Sequence, residues 1–322
     1  MKIEEPLRTP TVVVSGIALL LALTGCATTV GTPSSSCSPT VSAGQASDAI
    51  TATGDFGTKP TVSFPTPLTT KTTQATTTID GSGAPLIDGQ KVLVQLSLYD
   101  GRTGAFVAAT KYKGTASASG LIVNHTSTFF LGAGKALLCA TPGSRVAMAI
   151  SAKDATLATG GISSYDIKAT DSLVLVADVV KAYLPTAEGK ALAPINGFPT
   201  VISTPANRPG VHVSDAAAPT TVQDETLIRG AGAVVKKGQT VTAHVLEVSW
   251  PDTGTALKNT WADHNPDTIV IGKATDGKAV DTAITGATIG SRLVVVEPAK
   301  SASTSASVYV IDVLGADETP AS

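Results

Sequence analysis

The sequence predicts an α+β protein of two like domains, each a curved antiparallel β-sheet wrapped on one short helix. Three features of its 322 residues carry that expectation. One stretch recurs roughly 150 positions later in the same order and spacing, the mark of a duplicated structural unit. Apolar residues in each copy alternate with polar ones at the two-residue period of a half-buried strand. Each copy holds a single short helical pattern, too little for a bundle but enough to cover the concave side of a sheet.

The N-terminus sets the compartment. Lys2 and Arg8 precede an apolar run over 12–23 that matches a secretory signal and is too short to span a bilayer. The run ends in Leu23-Thr24-Gly25-Cys26, which resembles the lipobox of bacterial lipoprotein precursors. That resemblance implies removal of the signal peptide 1–25, a diacylglyceryl thioether on Cys26, and a protein anchored in the cell membrane on its extracytoplasmic side. Exported chains permit disulfides, so the remaining Cys37 and Cys139 are expected to pair and close a loop of about a hundred residues. The alternative is one tether thiol and one buried thiol. Residues 26–48, rich in Ser, Thr, Gly and Pro, read as a flexible stalk.

Within the repeat, Ile79, Gly81, Gly83, Ala84, Gly89, Gln90 and Val92 recur as Ile228, Gly230, Gly232, Ala233, Gly238, Gln239 and Val241. Upstream, Lys59-Pro60 and Val62 match Arg208-Pro209 and Val211. Downstream, Ala140-Thr141-Pro142-Gly143-Ser144-Arg145 matches Ala287-Thr288-Ile289-Gly290-Ser291-Arg292. The first long strand of each copy runs through Val92, Val94 and Leu96, or through Val241, Ala243 and Val245. Strand candidates follow Gly-Ser-Arg at 146–150 and 293–296, and each copy closes with a strand, 173–178 or 308–312, that ends in Asp. Helix candidates lie at 135–139 and 280–285. The Thr-rich stretch 58–78 suits an edge strand or linker, because Pro60, Pro65 and Pro67 argue against a central strand. The expected domains are 49–184 and 208–316, joined by a linker at 185–207 and followed by a tail at 317–322.

In family order, Gly230-Ala231-Gly232, Lys237-Gly238-Gln239-Thr240-Val241, Thr253-Gly254, Ile271-Gly272-Lys273, Gly290-Ser291-Arg292 and Val308-Tyr309-Val310-Ile311-Asp312 resemble the FKBP-type peptidyl-prolyl cis-trans isomerases. The likeness spans about residues 217–316 and, more weakly, about 80–180; the closest likeness is to the tandem FKBP-domain lipoproteins of actinobacteria. It implies two FKBP-like domains and rotation of Xaa-Pro bonds in protein folding, through an aromatic-lined cradle that needs no cofactor, metal or nucleophile. Most of the family's cradle aromatics are replaced here. The resemblance places the pocket at Tyr309, Val245, Leu257, Lys258, Val280 and Ala283, with Gln95, Leu96, Val107, Ala108, Ala136 and Leu175 in the first copy. Trp250 and Trp261 are candidates to restore aromatic surface.

Two functions follow: a weak isomerase acting on Pro-containing polypeptides, or a non-catalytic envelope binding protein or chaperone whose Val245, Leu257, Val280, Ala283 and Tyr309 are core residues. A monomer is expected. A net charge of −2, from 23 Lys+Arg and 25 Asp+Glu without a basic cluster, argues against a nucleic-acid partner. With 43% apolar and 15% charged residues the chain is not a disordered one. His125, His212, His244 and His264 are dispersed, without HExxH or CxxC, so no metal site is expected. The cluster Asp263-His264-Asn265-Pro266-Asp267 reads as a turn.

Overall fold

The computed structural model describes residues 37–318, apart from 125–130, 156–166, 196, 214–216, 251, 275–276 and 302. The signal peptide, Cys26 and His125 lie outside the described residues.

Two copies of one strand plan follow each other. The first opens with helix α1 (Gln45–Asp48) and a small hairpin of β1 (Thr51–Thr53) and β2 (Thr61–Ser63). There follow β3 (Gln74–Ile79), β4 (Lys91–Asp100), β5 (Phe106–Ala109), β6 (Ser119–Ile122), helix α2 (Leu131–Ala136), β7 (Arg145–Ile150) and β8 (Leu173–Ala182). These strands pair antiparallel in the order β3-β7-β8-β4-β5, with β6 against β4. The second copy begins with β9 (Gly189–Ala191) and a hairpin of β10 (Thr200–Ser203) and β11 (Pro209–His212). It continues through β12 (Gln223–Gly230), β13 (Gln239–Ser249), β14 (Ala256–Asn259), β15 (Asp267–Val270), helix α3 (Lys278–Ile284), β16 (Arg292–Glu297) and β17 (Ser307–Glu318). Its order, β14-β13-β17-β16-β12 with β15 against β13, repeats the first and adds β9 at the outer edge.

The α+β expectation does not hold. The described residues form four antiparallel sheets with three α-helices of 4, 6 and 7 residues. Helices of at most about two turns are marginal alone and do not form a layer. The larger cause is that each main sheet is buried on both faces. On β17, Tyr309, Ile311 and Val313 face α3, while Val308 and Val310 face the β10–β11 hairpin with Trp250, Trp261, Leu246 and Val248. On β8, Leu173, Leu175 and Ala177 face α2, while Val174 and Val176 face the β1–β2 hairpin. The polar residues that alternate with these apolar ones, Gln95, Ser97, Thr242 and His244, are therefore buried too.

The hairpins are held by the Gly-Ser-Arg motif and the terminal Asp of each copy. Arg145 and Asp178, both 0% exposed, meet with Nε to Oδ1 at 2.6 Å and Nη2 to Oδ2 at 2.8 Å. The remaining donors of Arg145 reach the carbonyls of Gly54, Asp55 and Thr58 in the hairpin loop, and Asp178 accepts the Gly57 N–H. Arg292 and Asp312 repeat the pair at 2.6 Å, with Arg292 donating to Ser203 Oγ and to the Asn207 carbonyl. Gly143 and Gly290 precede these motifs at φ +87° and +95°, a conformation in which a Cβ is costly.

Three sequence-assigned segments have structure. Residues 37–48, read as stalk, pack on the first sheet, and Cys37 is disulfide-bonded to Cys139. The 185–207 stretch, read as linker, contains β9 and β10, and its Thr186 and Ala187 bind Asp312. The first of the tail residues, Asp317 and Glu318, belong to β17. The two copies also touch directly: the Leu184 N–H donates to the Leu314 carbonyl, Lys181 pairs with Asp317 at 2.5 Å, and the Tyr183 hydroxyl donates to the same carboxylate.

Replacing Asp178 by Asn leaves a buried guanidinium without its counter-ion, which costs about 3–5 kcal/mol. Urea unfolding of Asp178→Asn should show that loss, with faster amide exchange over residues 51–63. An unchanged midpoint would show that the pair does not hold the hairpin.

Candidate functional site

The helix-facing side of the second sheet gathers most of the positions expected to form the cradle. Val245 of β13, Tyr309 of β17 and Val280 of α3 lie in one apolar cluster with Leu293, Val295 and Ile311, and Ala283 packs against it. Local bonds fix α3 there. Asp281 Oδ1 accepts the Gly272 N–H at 2.8 Å, tying the turn after β15 to the helix, and the Thr285 hydroxyl closes on the Asp281 carbonyl at 2.7 Å. Val245 is 3% exposed, Val280 1% and Tyr309 9%, so only a shallow surface of this cluster meets solvent.

At its rim, Tyr309 donates its hydroxyl to Glu247 Oε1 at 3.0 Å and faces Glu297 Oε2 at 3.4 Å; Ser307 donates to the same Glu247 oxygen. Burial, then the Glu247 charge, pushes the Tyr309 phenol up, so it stays protonated. The arrangement offers an apolar floor and an uncharged ring beneath a carboxylate edge.

Leu257 and Lys258 do not join this cluster. Both lie on the short edge strand β14, where Leu257 is 61% exposed and Lys258 is paired with Asp267 at 2.5 Å. In the first copy, Leu96, Val107, Ala136 and Leu175 are buried in one core with Leu86, Leu137 and Met148. Trp250 and Trp261 sit on the opposite face of the sheet with the β10–β11 hairpin and supply nothing to the cradle. His244 is on that face as well, stacked on Trp261 at 4.9 Å with Nδ1 against Thr260 Oγ1 at 2.9 Å. Among the described residues no group of three or more His, Cys, Asp or Glu stands close enough together to hold a metal ion.

What the molecule defines at this level is a duplicated antiparallel β-protein, each main sheet carrying a short helix on one face and a hairpin on the other. No family model and no curated protein matches the sequence. Solved structures of FKBP-domain proteins are similar to it in part. The three FKBP domains of wheat FKBP73 overlap 77% of this chain and 95% of their own, at 13% identity and a TM-score of 0.32. FkpA from Escherichia coli overlaps 40% of this chain and 55% of its own, at 14% identity and a TM-score of 0.28. Overlaps of this size do not assign the chain to a family.

Burial lowers the pKa of His244 from 6.5 to about 4, opposed by the Asp312 charge and reinforced by His264 and Arg208. The folded state thus refuses a proton that the unfolded chain accepts. The stability linked to His244 is complete above pH 6.5 and is lost as pH falls towards 4. The total is about 3 kcal/mol at about 1.36 kcal/mol per pKa unit. His244→Gln, the residue of the first copy at Gln95, should flatten this part of the pH–stability curve in urea titrations between pH 7 and 4. Parallel curves for the two proteins would refute the assignment.

Proposed function

We propose that the chain is an exported, lipid-anchored peptidyl-prolyl cis-trans isomerase of FKBP type, weak in activity, acting on Xaa-Pro bonds of polypeptides outside the cytoplasmic membrane. The observation that carries this reading is the meeting of Val245, Val280, Ala283 and Tyr309 on one helix-facing surface of the second sheet. The reaction needs little else: the barrier of about 18–20 kcal/mol falls when an apolar surface desolvates the imide and favours its twisted form. Each 1.36 kcal/mol gained there is about tenfold in rate. Ala283 and the face of Tyr309 would contact the prolyl ring over a floor packed from Val245 and Val280. With the Tyr309 hydroxyl already donated to Glu247, the site supplies apolar contact and no strong hydrogen-bond donor, which accords with weak activity. Anchoring rests on the lipobox at Leu23-Thr24-Gly25-Cys26, with lipidated Cys26 holding a monomer at the membrane.

A second reading, a non-catalytic binding protein or chaperone, draws on the low exposure of Val245 and Val280. An Xaa-Pro tetrapeptide isomerisation assay separates the two. The isomerase reading expects acceleration over buffer that Tyr309→Ala abolishes; no acceleration by the unsubstituted protein leaves the binding reading. Cys26→Ser should release the protein from membranes, and retention in the membrane fraction would contradict the lipid anchor.

A further inference from the structure

We infer that the Cys37–Cys139 disulfide is a site of thiol–disulfide exchange, and that it latches residues 37–43 across the seam between α2 and β3. The two copies differ at this point. Cys139 stands where the second copy has Gly286, in the same backbone setting: the Cys139 N–H donates to the Leu86 carbonyl and the Gly286 N–H to that of Val235, each at 3.0 Å. Both are left-handed, at φ +72° and +85°. Glycine takes this conformation freely and a side chain does so at a cost. The first copy thus carries a strained cysteine at a position where its twin keeps an unstrained glycine, and that cysteine is the attachment point of the strap.

The strap itself is lightly held. Beyond the disulfide, residues 37–43 have the Ser42 carbonyl accepting the Ala75 N–H at 3.2 Å and the partial burial of Val41 against the first core. From Gln45 onward the chain has its own anchors. Gln74 Oε1 accepts the Ala46 N–H at 2.8 Å, Ser47 meets Thr76 at 2.8 Å, and Thr76 donates to Asp48 at 2.6 Å. Between the strap and the sheet lies a cavity of about 440 Å³, walled by Pro39 and Val41 on one side and by Ala75, Ala136, Leu138 and Cys139 on the other. Cys37 and Cys139 are both half-buried, and Cys139 stands at the edge of that cavity and not inside the core.

The exchange partner is a dithiol. It transfers two electrons and two protons, its own sulfurs close to a disulfide, the Cys37–Cys139 bond breaks, and both cysteines become thiols. The strap then leaves its seam while α1 stays docked. On the lipid-anchored reading above, this moves the point where the tether joins the fold from Cys37 to α1 and adds roughly 20 Å of extended chain between membrane and sheet.

The test uses the full chain purified in detergent, with dithiothreitol as the dithiol, iodoacetamide labelling and amide hydrogen exchange. Both cysteines should label under native conditions. Amides of 38–43 should exchange at least tenfold faster on reduction, with α1, β7 and β8 unchanged. The double variant Cys37→Ser, Cys139→Gly, which gives the first copy the glycine of the second, should show the same pattern without reductant. A disulfide that resists reduction until the sheet unfolds would overturn the inference. So would loss of protection in β7 and β8 together with the strap, or a double variant whose 38–43 amides stay as protected as in the oxidised protein. These readouts are independent of the Cys26→Ser release test, so a failed latch and a failed anchor are distinguishable.

Discussion

A buried arginine–aspartate pair, present once in each copy, is the constraint on which the rest of this fold depends. Arg145 with Asp178, and Arg292 with Asp312, join neighbouring strands of the main sheet at its centre. Two ions removed from water repay that cost only if their remaining hydrogen-bonding capacity is also met. Each guanidinium meets it by reaching out of the sheet into the loop of a hairpin. The pair thereby decides where the hairpin lies, and the hairpin buries the sheet face that would otherwise be wet.

The two faces of each sheet consequently have different work. The hairpin face holds the aromatic and polar bulk of the second copy: Trp250, Trp261, His244 and the ion pair. The helix face is left with small and aliphatic residues around one aromatic, Tyr309, so any cradle there is shallow. The duplication has also diverged at its margins. The outer edge of the first sheet is covered by α1 through Gln74, and that of the second by β9 against β12. Both devices protect an edge that would invite pairing with another chain.

Much of the second copy was legible in the sequence because its signals are local. Alternation through Val241, Ala243 and Val245 marks β13, and Gly286 closes α3 close to where the pattern ends. The repeat itself was legible because its glycines and its Arg and Asp hold backbone and charge in place rather than filling volume. The hairpins were not, since each of their strands is three or four residues long and carries one or two half-buried apolar side chains. Helix α2 was read four residues late because Gly132 and Gly134 weigh against a helix. Packing overrides that preference: a Cβ on Gly132 would sit 2.5 Å from Ile150 Cγ2, so only glycine lets the helix approach the sheet. The placement of Trp250 and Trp261 was illegible for a different reason. Both lie just past strand ends, in the turns after β13 and β14, where the two-residue period of a strand does not reach.

The ion pair and the hairpin form one cooperative unit. A double-mutant cycle on Arg292→Met and Asp312→Leu, read by urea unfolding with amide exchange over residues 200–212, tests it most directly. Each single change should cost about 3–5 kcal/mol, the double variant should recover a large part of this, and hairpin protection should fall in both single variants. Costs that add to within about 0.5 kcal/mol, with the hairpin equally protected throughout, would contradict it.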